Sequence, residues 1–129
     1  MLALVRPNER AISYVGAGHD VSVVRADGEA VRLDSTSLVL GLVAEASIEA
    51  ASVPPMQPGD VMLFLTDGVI EAYSPEREPF GWQRAIDIVR SCRHQSACNI
   101  IEQLIGAVRE FAQIDTLNDD VTAVIVKAT

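Results

Sequence analysis

The stretch Pro58-Gly59-Asp60-Val61-Met62-Leu63-Phe64-Leu65-Thr66-Asp67-Gly68 decides the fold. Its centre, Val61 to Leu65, is a continuous apolar run, too short for a buried helix and bounded by turn formers on both sides. It reads as a strand covered on both faces. Upstream, Pro54-Pro55 and Pro58 remove backbone donors and force a turn. Such a strand needs neighbours on both edges and a layer on each face.

Working outward, the downstream sequence supplies one layer. Trp82, Ala85, Ile86, Val89 and Cys92 recur at steps of three and four, as do Ala97, Ile100, Ile101, Leu104, Val108, Phe111 and Ala112. Each set forms one apolar stripe, so two helices should lie on a sheet. Ser96 is placed to cap the second by accepting an orphan amide bond. Val121 to Val126 reads as a final strand behind Asp119-Asp120.

The upstream third supplies the remaining strands. Met1 to Val5 is apolar, and Arg6-Pro7-Asn8-Glu9-Arg10 breaks it. Ala11 to Val15 alternates and ends in Gly16-Ala17-Gly18-His19-Asp20. Val21 to Arg25 and Ala30 to Leu33 flank Ala26-Asp27-Gly28-Glu29, an antiparallel hairpin signature. Residues 35–42 read as a loop crossing a sheet edge. Ala44 to Val53 reads as an exposed strand, with a short helix as the rival. The fold class is therefore α+β: antiparallel β-sheets with packed α-helices in one domain, residues 1–129.

Composition agrees. Of 129 residues, 49% are hydrophobic and 22% charged, which excludes a disordered tail and suits one packed core. Eighteen acidic residues against ten basic give a net charge of -8. That balance argues against a nucleic-acid partner and against docking on an anionic membrane. No apolar run approaches the ~20 residues of a membrane span, so no membrane insertion is expected. The early polar break at Arg6 leaves no long apolar leader, and a cytoplasmic location is the expectation. Cys92, His94 and Cys98 do not match a zinc-binding spacing, and packed or half-exposed thiols are the expected state.

The chemistry-bearing positions sit at strand ends. Asp67 follows the buried run, and Asp119 and Asp120 precede the final one. If these strands are antiparallel neighbours, their carboxylates converge. Converging carboxylates repel unless a hard cation neutralises them, and magnesium or manganese suits oxygen donors. Gly68 would permit a tight turn beside such an ion. Ordinary Asp-containing turns at strand ends fit the same residues.

Several segments taken in order resemble one family. They are Tyr14-Val15-Gly16-Ala17-Gly18-His19, Arg25-Ala26-Asp27-Gly28 and Leu40-Gly41-Leu42. Pro58-Gly59-Asp60, Leu65-Thr66-Asp67-Gly68-Val69-Ile70-Glu71-Ala72, Phe80-Gly81 and Asp119-Asp120-Val121-Thr122 complete the set. The chain resembles the second half of the PP2C-type metal-dependent serine/threonine phosphatases, in the branch of the sporulation-stage-II-E and sigma-factor regulators.

The resemblance implies a partial α-β-β-α sandwich and hydrolysis of phosphoserine or phosphothreonine by water activated on two manganese or magnesium ions. It implies Asp67 and Asp119 as metal ligands, with Asp120 and Gly68 beside them, and His19 as a substrate-side residue or merely a turn former. It implies a phosphorylated regulatory protein, such as an anti-sigma-factor antagonist, as partner. The family's earlier half carries an Asp-x-x-Gly-His-Gly segment whose Asp bridges both metals, and these 129 residues contain no such segment. The isolated chain is therefore expected to be inactive and to pair with a complementing half or as a homodimer. The alternative is a non-catalytic module that binds a protein or itself.

Overall fold

The computed structural model describes residues 1–19, 21–45, 47–113 and 120–129. Among these residues, seven strands form two antiparallel sheets. β1 (Leu2–Arg6), β2 (Ala11–Val15) and β5 (Ala51–Val53) make a three-stranded sheet in the order β1-β2-β5. β3 (Val21–Val24), β4 (Ala30–Leu33), β6 (Val61–Leu65) and β7 (Ala123–Lys127) make a four-stranded sheet in the order β4-β3-β6-β7. The helices are α1 (Asp67–Ile70), α2 (Gly81–Cys92) and α3 (Ala97–Ala112).

The α+β class is thus observed, and β6 explains the layering. Its residues alternate between two cores. Val61, Leu63 and Leu65 pack with Val89, Ile100, Leu104 and Val108 of the helices. Met62 joins Ile12, Tyr14, Val21, Val23 and Val53 between the two sheets. This two-sided burial is why the run is continuously apolar despite its antiparallel neighbours. Met62 and Leu63 are fully buried, each worth about 2 kcal/mol by transfer alone. Asp60 enters this strand buried as well, accepting from Arg25 Nη1 at 2.7 Å and from the amides of Ala26 and Gln57. It ties the start of β6 to the turn of the β3–β4 hairpin.

The helix stripes fall as the spacing predicts: Ala85, Val89 and Cys92 are buried on α2, and Ile100, Leu104, Val108 and Ala112 on α3. Ser96 caps α3, its side chain accepting from the Asn99 amide at 3.2 Å. The β3–β4 hairpin is present, with Val24 opposite Ala30.

Three expectations need correction. The exposed strand over Ala44 to Val53 shrinks to Ala51–Val53, and no helix replaces it among the described residues. Only this end places an inward apolar residue, Val53, opposite Ile12. The described residues between Ala44 and Ala50, Ile48 included, are exposed and bury nothing that would fix an extended backbone. The final strand begins at Ala123, because Val121 and Thr122 are drawn into contacts with the Thr66–Gly68 turn. Downstream of β6 the sequence also starts a short helix, α1, where only a turn was expected.

Candidate metal and phosphate site

β6 and β7 are antiparallel neighbours, with Leu65 opposite Ala123. The C-terminal end of β6 therefore meets the N-terminal start of β7. Thr66 joins the two. Its amide donates to Thr122 O at 3.0 Å, and its hydroxyl accepts from the Thr122 amide at 2.9 Å. The same hydroxyl lies 3.4 Å from the carbonyl oxygens of Asp120 and Thr122, to which it can donate.

Gly68 completes the contact. A methyl group there would stand 2.4 Å from Asp120 O and 3.2 Å from Val121 Cγ2. The glycine is thus required for close approach to the Asp120 backbone. Its φ is not positive, so the expectation of a turn dependent on glycine's conformational freedom is replaced by one of space. Asp67 opens α1, where its backbone carbonyl accepts from the Glu71 amide at 2.7 Å. The Asp67 and Asp120 residues are both exposed. Asp119 lies outside the described residues.

His19 reaches the same end from another direction. It precedes β3, whose Val21 pairs with Phe64. With Met1, Phe64, Leu65, Thr66, Thr122 and Val124 it lines a small cleft of about 60 Å³. The turn before it is clamped by the loop after β4. The Gly16 amide donates to Thr36 Oγ1 at 3.0 Å, and the Gly18 amide to Ser35 Oγ at 2.7 Å. Gly18 has φ +86°, and a methyl group there would stand 2.5 Å from Val39 Cγ2. The structure thus groups His19, Thr66, Asp67, Gly68 and Asp120 at one sheet end.

Hard carboxylate oxygens suit magnesium or manganese better than softer metals. Asp67 and Asp120 carry carboxylates of this type near the same sheet end, and no group of three or more His, Cys, Asp or Glu that could hold an ion exists among the described residues. The donor type fits a divalent ion, which would need further oxygens from water or from residues outside the described set. Cys92 and Cys98 are free thiols. Burial pushes the Cys92 thiol up, and its Sγ donates to Ile88 O at 3.0 Å, so it is a packed thiol.

Sequence reasoning overlooked Thr66, Ser35 and Thr36. Thr66 was visible only as the link between the strand and Asp67. A threonine before an acidic turn is a common enough pair that its cross-strand bonds cannot be read without the β6–β7 register.

Comparison with known proteins identifies the lineage. Residues 1–129 match the family model of stage II sporulation protein E (SpoIIE). The chain belongs to the SpoIIE family. Its 119-residue match to protein IcfG of Synechocystis is 31% identical, covering 89% of this chain and 18% of IcfG. The SpoIIE-family fold recurs in the SiaA-PP2C domain of Pseudomonas aeruginosa, at TM-score 0.80 and 20% identity over 94% of this chain and 48% of that one. The phosphatase domain of SpoIIE from Bacillus subtilis aligns at TM-score 0.68 and 16% identity, over 98% of this chain and 55% of that domain. The chain therefore spans about half the length of these solved phosphatase domains. Among the described residues, no helix is long and apolar enough to cross a membrane.

Proposed function

We propose that this SpoIIE-family chain forms the carboxylate-bearing half of a metal-dependent phosphatase acting on phosphoserine or phosphothreonine of a regulatory protein, for which an anti-sigma-factor antagonist is the candidate. The carrying observation is the packing of Gly68 against the Asp120 carbonyl. It sets Asp67 beside the acidic segment that opens β7.

In this reading Asp67 and Asp119 hold manganese or magnesium, Asp120 and Gly68 shape the turn around them, and His19 faces the substrate. Bound divalent ions supply Lewis acidity and lower the pKa of water. Thr66 fixes the spacing of the two acidic segments through its bonds to Thr122. The chain's own contribution is thus to bind and position, with no thiol nucleophile.

Alone, the chain should not turn over para-nitrophenyl phosphate with manganese, because the family's bridging Asp is not among its residues. Joined to a complementing N-terminal half, it should do so, and Asp67→Asn should abolish turnover. Full activity of the complemented Asp67→Asn variant would overturn the assignment.

A second observation favours pairing. Leu2 and Leu4 are 74% and 54% exposed on the outer face of the three-stranded sheet, and β1 is an edge strand of that sheet. Unpaired edges and apolar patches attract another chain. A homodimer or a complex with the complementing half is the expected state in a cytoplasmic protein. Light scattering after size exclusion should show it, and a monomer of 13.9 kDa at high micromolar concentration would contradict it.

A further inference from the structure

The opposite end of β6 carries a second charged feature that the proposed phosphatase reading does not use. Ala26, Gly59, Arg93, His94 and Lys127 line an open cleft of about 330 Å³. Ala26 lies in the β3–β4 turn, Arg93 and His94 follow α2, and Lys127 ends β7. Lys127 pairs with Val61, the first residue of β6, whereas Ala123 pairs with its last. Roughly 14 Å of strand, at ~3.4 Å per residue, therefore separates this cleft from the Thr66 end.

The charge of the cleft runs against that of the chain. Acidic residues outnumber basic ones by eighteen to ten overall, yet among the described residues no carboxylate lines this cleft. Three acidic groups on the neighbouring elements are engaged elsewhere, while Glu29 of the same β3–β4 turn does not line the cleft. Asp60 is bound by Arg25, Asp87 pairs with Arg90, and the Asp27 side chain accepts from the Glu29 amide. The cations are held by neutral carbonyls instead. Arg93 Nε donates to Ala26 O at 3.1 Å and its Nη1 to Arg90 O at 2.7 Å. Lys127 Nζ donates to Gln95 O. Carbonyls fix the positions of these groups without cancelling their charge, and both cations keep further N–H donors.

We propose that this cleft is an oxyanion site for a phosphate group. A guanidinium and an ammonium held in place on two different elements, with an imidazole beside them, offer donors from several directions. A tetrahedral dianion can engage all of them, whereas a carboxylate is planar and carries one charge. Gly59 lines the cleft with backbone alone, and a methyl group there would stand 3.1 Å from Ala26 Cβ. The site is distinct from the carboxylate end, so its occupancy is read by binding alone and does not depend on turnover.

The test is a nuclear magnetic resonance titration of the full chain with inorganic phosphate, without metal and at low salt. The amides of Ala26, Gly59, Arg93, His94 and Lys127 should shift together and saturably. Matched additions of chloride should leave them unmoved. Lys127→Gln should weaken binding about tenfold, the scale of one charge-assisted hydrogen bond. His94→Ala alters an exposed residue and should weaken binding by a smaller factor without affecting folding. A parallel titration with a phosphoserine peptide distinguishes the source. Tighter binding of the peptide assigns the site to protein-borne phosphate, and tighter binding of the free ion to a small molecule. The proposal is overturned by non-saturable shifts, by equal shifts with chloride, or by unchanged affinity in His94→Ala together with Lys127→Gln.

Discussion

The two ends of β6 each carry an aspartate, and the two are treated in opposite ways. Asp60, at the start, is 1% exposed and surrounded by donors: Arg25 at 2.7 Å and the amides of Ala26 and Gln57 at 2.8 and 2.9 Å. Asp67, just past the end, is exposed at the first position of α1, whose Gly68 packs against the Asp120 backbone. Burial pushes the Asp60 carboxyl up, but the Gln57 amide, Arg25 and the Ala26 amide outweigh this and hold it below its ordinary value. The contrast separates an acid whose charge holds the fold together from one whose charge is left available. An aspartate used to build structure is satisfied by the protein. The proposed metal role of Asp67 asks for the opposite, an acid positioned by the protein and left for a ligand to satisfy.

The strongest way to break this comparison is Asp60→Ala. Removing one partner of a buried pair leaves the other uncompensated, and Arg25 keeps only 18% of its side chain exposed. The variant should lose about 3 kcal/mol in urea denaturation. Acid should expose the same interaction. The folded-state pKa of Asp60 is lowered, so its contribution is complete above the unfolded value of about 3.9 and is lost as pH falls through the folded one. The stability gap between the natural chain and Asp60→Asn should be flat above about pH 5 and shrink below it. A gap of under ~1 kcal/mol for Asp60→Ala would mean that the buried acid is not structural.

Next in size is Gly68→Ala. The added methyl meets a backbone carbonyl, which cannot swing aside as a side chain can. Overpacking of this kind costs about 1–3 kcal/mol. The strain should appear locally, as faster hydrogen exchange at the amides of Thr66 and Thr122, which the β6–β7 junction protects. An alanine accepted without cost would show that the two acidic segments are less closely apposed than the contact implies.

Thr66→Val should cost less, about 1 kcal/mol. The substitution keeps the shape but deletes the acceptor of the Thr122 amide, while the Thr66 amide keeps its own bond to Thr122 O. A loss confined to Thr122 exchange, with β6 otherwise intact, would sharpen the role of this residue as a spacer.

How much of this was legible beforehand follows from what each residue encodes. The continuous run Val61 to Leu65 announced a strand buried on both faces, because only double burial favours apolar residues at every position. The stripes through Val89 and Leu104 announced helices on that strand's sheet. The convergence of Asp67 with the segment before β7 required just one further step, the antiparallel register. By contrast, Ala44 to Ala50 carries no periodicity strong enough to hold a strand against solvent, and its described residues form neither strand nor helix. Asp60 stood in plain view within Pro58-Gly59-Asp60, yet its partner Arg25 lies thirty-five positions away. A buried ion pair leaves no local pattern. The start of α1 was hidden for a related reason: four residues are too few for any helical period to show.

The smallest expected effect tests the other side of the comparison. Asp67→Asn should change stability by no more than ~0.5 kcal/mol in the absence of metal, as for an exposed residue without a buried partner. Two small terms oppose each other. The carboxylate at the first position of α1 gains from the amide dipoles there, which disfavours its loss. Any like-charge repulsion from a carboxylate near this turn, whose Gly68 packs against the Asp120 backbone, would favour its loss. Manganese should break the balance. If Asp67 holds an ion, the natural chain should gain thermal stability on adding manganese in the presence of its complementing half, and Asp67→Asn should not. A variant that is destabilised by several kcal/mol without metal would place Asp67 with Asp60, as an acid that builds the fold. A variant that is neutral without metal and blind to manganese keeps the two ends of β6 apart in kind.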